Sequence, residues 1–398
     1  MSCDMPNPET PQLPEKIDLP EGIPALRSFY LYLTNGCNLR CRHCWISPTY
    51  VNGIPTPGDY IDFEKLKDAV EAARPLGLSN AKLTGGEPTL HPRFVEIVDF
   101  FTEQKIPLTM ETNGTLITRE LAVHLKDNTS LWHISVSLDS PRPSYHDWFR
   151  GVEGAFDKTV QGIKHLVAAG YRPQVIMCPH HGNLHEIDDL VKLAVDLGAG
   201  SVKFNPINSV GRGESLHKKG DALGFDETLS LVHYINSDLQ KKTIIPLFVM
   251  LPPALLSIRE LQCPNALCGT CRVYSVLGIL GSGEMALCGI GQTIPELCFG
   301  QIGKDNLRDV WINNPVLQQL RKVLQDEKYP GICGDCIHSS RCLMYCVAQN
   351  YVINGGLISP DAQCMEAVRR GLFPKSRRRS FNETNAARQS IEPCGEPK

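Results

Sequence analysis

The chain has 398 residues, 42% of them hydrophobic and 21% charged, with a formal net charge of -3. That apolar share can bury one large domain plus a smaller one, and the near-balanced charge argues against nucleic acid or a membrane surface as the main partner. No run of about 18 apolar residues occurs, and the polar, proline-rich start (MSCDMPNPETPQLPEK) lacks the basic-then-apolar order of a secretory signal, so a cytoplasmic location is expected.

Residues 1–25 show little periodicity and read as a loose leader. FYLYLT at 29–34 predicts a strand. Phe63, Leu66, Val70 and Ala73 recur at helical spacing. A strand follows over 81–84, a helix over 93–104, a strand over 107–111 and a helix over 118–126. WHISVSL at 132–138 predicts the fourth strand. Phe156, Val160, Ile163 and Val167 mark a helix, residues 173–178 a strand, and Ile187, Leu190, Val191, Ala194 and Leu197 another helix. SVKFNP at 201–206 is the sixth strand. Alternating β/α units predict a parallel sheet with helices outside, curled into a full or partial barrel with ligands at the strands' C-terminal ends.

The alternation fades after about residue 208. The segment 260–365 is rich in Cys and Gly, as expected of a small domain whose thin core is held by metal. The expected division is a leader at 1–25, a barrel at 26–235, a Cys-rich domain at 236–370 and a disordered tail at 371–398.

The chain holds 16 cysteines. Without an export signal, the reducing cytosol favours metal ligation over disulfides. Cys37, Cys41 and Cys44 (NGCNLRCRHCW) follow the first strand directly. Three thiolates suit soft iron or zinc. Structural zinc would want a fourth ligand, and His43 is awkwardly flanked by two others. On a [4Fe-4S] cluster, three Cys leave one iron open for a reacting ligand.

Other candidates sit at strand ends. Gly85 and Gly86 let backbone approach a ligand closely, and Glu87 can accept from an ammonium. Asn113 ends the third strand. Ser137 and Asp139 end the fourth and can bind ribose hydroxyls or a carboxylate, although Asp139 could instead cap a turn. Arg150 is a candidate carboxylate contact or a salt-bridge residue. Asn183 follows the fifth strand. Towards the C-terminus come Cys263, Cys268, Cys271 and Cys288, then Cys333, Cys336, Cys342 and Cys346, and finally Cys364. Two zinc sites are the alternative reading of that set.

The Cys37–Cys44 loop and the Gly85-Gly86-Glu87-Pro88 turn resemble those of the radical S-adenosylmethionine (SAM) superfamily. The later cysteines resemble the SPASM domain of peptide- and protein-modifying members. The resemblance implies a partial (β/α)6 barrel followed by a small Cys-rich domain, and three [4Fe-4S] clusters. SAM would chelate the open iron, and its reductive cleavage would give a 5′-deoxyadenosyl radical that abstracts a substrate hydrogen. His43 would contact the adenine side, the GGEP turn the SAM amino group, and Ser137 and Asp139 the ribose. Cys271, Cys288 and Cys346, with Cys263 or Cys268, would hold auxiliary cluster I. Cys333, Cys336, Cys342 and Cys364 would hold cluster II.

The implied partners are a peptide or protein substrate and a flavodoxin- or ferredoxin-type reductant. With 36 residues before Cys37, too few for a leader-gripping domain, leader binding is expected to be weak, delegated to a separate leader-binding protein, or done by another surface. The implied reaction is a crosslink, thioether, dehydrogenation or epimerisation, and Cys178 or Cys394 would be the hydrogen donor in the last case. Gly289, where sulfatase maturases tend to carry Asp, argues against that subfamily. CLMYC at 342–346 departs from the usual Gly-rich CxGGC. The alternatives are a tetrapyrrole-modifying (heme-type) radical SAM enzyme and a non-catalytic iron–sulfur electron-transfer protein.

Overall fold

Six apolar-rich strands of the first half pair side by side. They are β1 (Ser28–Tyr32), β2 (Asn80–Thr84), β3 (Leu108–Thr112), β4 (Leu131–Ser137), β5 (Gln174–Met177) and β6 (Ser201–Phe204), each parallel to the next. The computed structural model describes residues 17–48, 50–51, 54–55, 59–261 and 273–380. All six predicted strands are present, and the sheet extends beyond them. β7 (Leu247–Val249) adds parallel to β6, and β8 (Val276–Ile279) adds parallel to the other side of β1. β9 (Glu284–Ala286) and β10 (Cys298–Gln301) continue that edge antiparallel, giving the order β10-β9-β8-β1-β2-β3-β4-β5-β6-β7.

Helices cross between the parallel strands. α1 (Phe63–Ala73) starts at Asp62, whose side chain accepts from the Glu64 and Lys65 amides, and it buries Phe63, Leu66, Ala69, Val70 and Ala73. Burying each large apolar side chain contributes roughly 1.5–3 kcal/mol. α2 (Phe94–Glu103) and α3 (Arg119–Asn128) fall where expected. α4 (Pro143–Arg150) is a helix the periodicity reading omits. Pro143 sits in its first turn, and Gly151 ends it in the left-handed region at φ 74°. α5 (Ala155–Ala168), α6 (Ile187–Asp196), α7 (Arg212–Lys219), α8 (Phe225–Ser237) and α9 (Leu307–Asn313) complete this unit.

The chain divides into two compact units, residues 1–250 with 272–319, and residues 251–271 with 320–398. The boundary expected at 235 is therefore corrected: the sheet recruits β7 to β10 from the stretch assigned to the Cys-rich domain. Residues 17–25 are not loose either. The fully buried Trp311 of α9 donates its indole N–H to the Pro24 carbonyl at 2.9 Å, and the Asp18 amide donates to the Pro75 carbonyl at 3.1 Å.

The second unit has short helices, α10 (Gly331–Asp335), α11 (Ser339–Cys342), α12 (Val347–Asn354) and α13 (Ala362–Arg369). Residues 371–380, expected in the tail, pack here: the Arg377 carbonyl accepts from the Ile337 amide at 2.9 Å, and its guanidinium donates to the Leu256 carbonyl at 3.1 Å. No described helix is long and apolar enough to cross a membrane.

Candidate functional site

The cysteine loop is held from two sides as it leaves β1. The Gly86 amide donates to the Thr34 carbonyl at 2.8 Å and the Glu87 amide to the Gly36 carbonyl at 2.9 Å. A Cβ on Gly86 would lie 1.9 Å from the Gly36 oxygen, and one on Gly85, at φ +127°, would lie 2.4 Å from the Thr34 oxygen. The two glycines thus let the turn after β2 dock on the loop. On the other side, the Arg40 and Arg42 amides each donate at 2.9 Å to the last carbonyls of α4, those of Arg150 and Phe149.

Cys37, Cys41 and Cys44 all line one cavity of about 380 Å³. Six adjacent strands, β1 to β6, contribute side chains to it. Laid flat, six strands would spread over roughly 24 Å, so the sheet curls around the cavity. Each sulfur has a donor beside it. The Leu39 amide donates to Cys37 Sγ at 3.4 Å, the Ser47 amide to Cys44 Sγ at 3.4 Å and Arg150 Nη1 to Cys41 Sγ at 3.5 Å. Burial pushes the Cys37 thiol up, and its two neighbouring cysteines push it the same way. Three thiolates here need a metal's positive charge to coexist, which fits an iron–sulfur cluster.

The other candidates divide into those that reach the cavity and those that support it. His43, Gly85, Gly86, Asn113, Ser137, Arg150 and Cys178 line it. The His43 ring stacks on Phe149 at 4.5 Å, and burial lowers its pKa to about 3, so it is a neutral imidazole. Asn113 spends its side chain on the loop, donating from Nδ2 to Asn38 Oδ1 at 2.8 Å.

Glu87 and Asp139, also expected to touch SAM, do not line this cavity. Glu87 is fully buried, and its carboxylate accepts from Thr112 Oγ1 at 2.7 Å, the Asn113 amide at 2.8 Å and Thr89 Oγ1 at 2.6 Å. It ties the glycine turn to the end of β3. Asp139, also fully buried, pairs with Arg150 Nη2 at 2.5 Å and accepts from the Cys178 amide at 2.8 Å. Arg150 is thereby a buried salt-bridge residue that also reaches the cavity. Asn183 is buried behind it, donating to the Asp139 carbonyl at 2.9 Å. His43, Asp139 and Cys178 bring their ligand atoms within 4.8 Å of one another, but the Asp139 carboxylate is already taken by Arg150.

Sequence reasoning missed the cavity floor. Lys82 and Glu111 form an ion pair at 2.7 Å, with Lys203 and Tyr30 beside them. Burial alone would raise the Glu111 carboxyl, but Lys82 and Lys203 hold it down at about 2. The available signal was a charged residue between buried neighbours in each strand: Lys82 between Ala81 and Leu83, Lys203 between Val202 and Phe204.

Of the later cysteines, Cys263, Cys268, Cys271 and Cys394 lie outside the described residues. Cys288 is half-buried in the first unit. After it, a Cβ on Gly289 would meet the Tyr32 ring at 2.1 Å, so β1's last side chain fills the space an Asp there would need. In the second unit Cys333, Cys336, Cys342 and Cys364 are buried around one small cavity, together with His338 and Asp361. Cys346 does not line it. Between Cys342 and Cys346, Leu343, Met344 and Tyr345 all have positive φ, at 54°, 64° and 60°. The CLMYC departure thus places three side chains where the left-handed backbone favours glycine.

Residues 31–194 match the radical SAM superfamily, and residues 268–337 match the SPASM iron–sulfur cluster-binding domain. The AdoMet-dependent heme synthase of Methanosarcina barkeri is 28% identical over 343 residues, which cover 84% of this chain and 94% of that protein. The mycofactocin maturase MftC of Mycobacterium tuberculosis is 26% identical over 361 residues, 89% of this chain and 86% of that one. In fold, the crystal structure of Streptococcus suis SuiB bound to S-adenosylmethionine is similar with a TM-score of 0.66 over 86% of this chain and 77% of that one, at 16% identity.

Proposed function

The chain is a radical SAM enzyme with an iron–sulfur cluster-binding SPASM domain, and we propose that it modifies a ribosomally made peptide or protein by abstracting a hydrogen atom. Cys37, Cys41 and Cys44 would hold the SAM-binding [4Fe-4S] cluster. Cys333, Cys336, Cys342 and Cys364 would hold a second cluster, and Cys271, Cys288 and Cys346, with Cys263 or Cys268, a third. Bound in the cavity, cluster and SAM supply a 5′-deoxyadenosyl radical.

The chain's own residues set the site up for that chemistry. Gly85 and Gly86 give the wall nearest the cysteines no side chains, which leaves room for the SAM amino group. The neutral, stacked His43 offers a flat ring for the adenine. Ser137 offers a hydroxyl to the ribose. Burial holds the Cys178 sulfur as a thiol, and S–H is the form that can return a hydrogen atom to a substrate radical. A flavodoxin- or ferredoxin-type protein would supply the electron, and the substrate's leader would be gripped by a separate protein or by another surface of this chain, or only weakly.

The observation that carries this reading is the single cavity shared by three cysteines, the glycine turn and the Cys178 thiol. Similarity to a maturase favours a peptide or protein substrate. Similarity to AdoMet-dependent heme synthases favours a second reading, a tetrapyrrole substrate. The radical SAM match and the cavity with its glycine turn disfavour a non-catalytic electron carrier, which would need neither.

The test is turnover of anaerobically reconstituted protein with SAM, reductant and candidate precursor peptides, read by mass. Loss of two hydrogens from the peptide, or uptake of one deuterium from heavy water, supports peptide modification. An unchanged peptide with a consumed propionate-bearing tetrapyrrole supports the second reading.

A further inference from the structure

Beneath the strand-end residues of the cavity lies a second tier of charged groups. Lys82 stands two positions before Thr84, the end of β2; Glu111 and Lys203 each stand one before the ends of β3 and β6. At about 3.3 Å per residue this sets them roughly 3–7 Å below the strand ends. Lys82 lies between the buried Ala81 and Leu83, and Lys203 between the buried Val202 and Phe204, none of which lines the cavity, so the period of two turns both lysines towards it; Glu111, whose neighbour Thr112 also lines it, reaches the cavity beside Lys82.

The charges of this tier do not balance. Among the described residues, the cavity's ion pairs are Lys82–Glu111 at 2.7 Å and Arg150–Asp139 at 2.5 Å. Lys203 has only a share in Glu111, which Lys82 already holds. Burial lowers its pKa, Glu111 opposes that, and Lys82 adds to it. A half-buried ammonium without a counter-ion of its own is a built receptor for an anion.

We propose that Lys203, steered by the Lys82–Glu111 pair, forms a carboxylate-binding subsite on the cavity floor that anchors the substrate by an acidic group. This rests on the hydrogen-abstraction reading above and names the substrate class, an acid. Glu111 repels a carboxylate from the β2–β3 side and directs it to β6. Lys203 is in register with Ile176 on β5, and Cys178 follows two residues further on. The anchored group therefore sits about two residues, roughly 7 Å, below the candidate hydrogen donor. A short acidic side chain or chain terminus spans that distance.

The test uses the full-length, anaerobically reconstituted protein with SAM, as wild type, Lys203→Met and Lys203→Arg. The probes are 3-phenylpropionate and its carboxamide, with binding read by equilibrium dialysis. A hydrogen bond to a charged group predicts that wild type prefers the acid by roughly 10- to 100-fold. Lys203→Met loses that preference, Lys203→Arg keeps most of it, and SAM affinity and thermal midpoint stay unchanged. The proposal is overturned if wild type binds neither probe or both equally, or if Lys203→Met keeps the preference. It is also overturned if SAM affinity falls in Lys203→Met while the acid preference persists, because Lys203 then holds the SAM carboxylate. Formation of 5′-deoxyadenosine without substrate separates the two levels. If wild type forms none, the hydrogen-abstraction reading fails; if it forms and the acid preference is missing, only the subsite fails.

Discussion

Gly86 lacks a side chain because the Gly36 carbonyl occupies the space a Cβ would take, at 1.9 Å. Gly86→Ala must push the turn away from the cysteine loop. The expected result is iron content lower by about four per chain, with the other clusters retained. Iron analysis and the thermal midpoint check this. At Leu343 the direction reverses. Its φ of 54° is left-handed, which costs a non-glycine residue about 1–2 kcal/mol. Leu343→Gly should stabilise the protein by about 1 kcal/mol after glycine's extra chain entropy is deducted. A lower melting midpoint in that variant would contradict the account. At this scale the sequence made the cysteines and glycines legible, since their spacing is itself the signal. It did not reveal which way a side chain faces. Glu87 and Asp139 share strand ends with cavity residues, yet their carboxylates are consumed by Thr112, Asn113, Arg150 and Cys178.

α4 is the element on which the site depends most. It supplies two carbonyls to the cysteine loop, Phe149 to the His43 ring, and Arg150 to Asp139 and Cys41. Arg150→Met leaves the fully buried Asp139 carboxylate unpaired, which should cost roughly 3–5 kcal/mol. Asp139→Asn in the same chain should recover part of that, as chemical denaturation can measure. His146, fully buried on α4, accepts the Asp139 amide at 3.3 Å, and burial and Arg150 lower its pKa to about 4. The unfolded chain binds that proton near pH 6.5, the folded one only near 4, so this contribution is full above about 6.5 and lost as pH falls towards 4. Thermal midpoints should therefore decline below pH 6.5, and less steeply in His146→Gln. The periodicity that revealed α1 to α3, α5 and α6 could not show α4, because PSYHDWFR has few apolar residues to mark a face. β7 has three residues between prolines at 246 and 252, and β8 emerges from a Cys- and Gly-rich stretch. Both are strands because the open edges of the sheet pair with them, which no local pattern encodes.

Across the whole chain the two units rest on different physics. The first buries large apolar side chains from α1 to α6 against a ten-stranded sheet. The second buries Cys333, Cys336, Cys342 and Cys364 beside a smaller apolar set that includes Leu255, Met344 and Phe373. Its stability should therefore be linked to metal. Stripping iron with a chelator is expected to abolish hydrogen-exchange protection over residues 331–369 while β1 to β6 stay protected. Equal protection with and without iron would contradict this. The cavity follows from the same large-scale arrangement: Lys82 and Glu111 meet on the paired strands β2 and β3, but the sheet had to curl to bring Lys203 of β6 beside them. Single-strand patterns locate each charge, and only the curled sheet unites all three.

The central claim is that Cys37, Cys41 and Cys44 hold the cluster at which SAM is cleaved. The direct measurement is iron per chain and 5′-deoxyadenosine formed by the reduced, reconstituted protein, in wild type and in Cys37→Ala/Cys41→Ala/Cys44→Ala. Three cubane clusters predict about twelve irons in wild type and about eight in the variant, with 5′-deoxyadenosine formed by the first and none by the second. Formation of 5′-deoxyadenosine by the variant, or none by fully loaded wild type, would contradict the account.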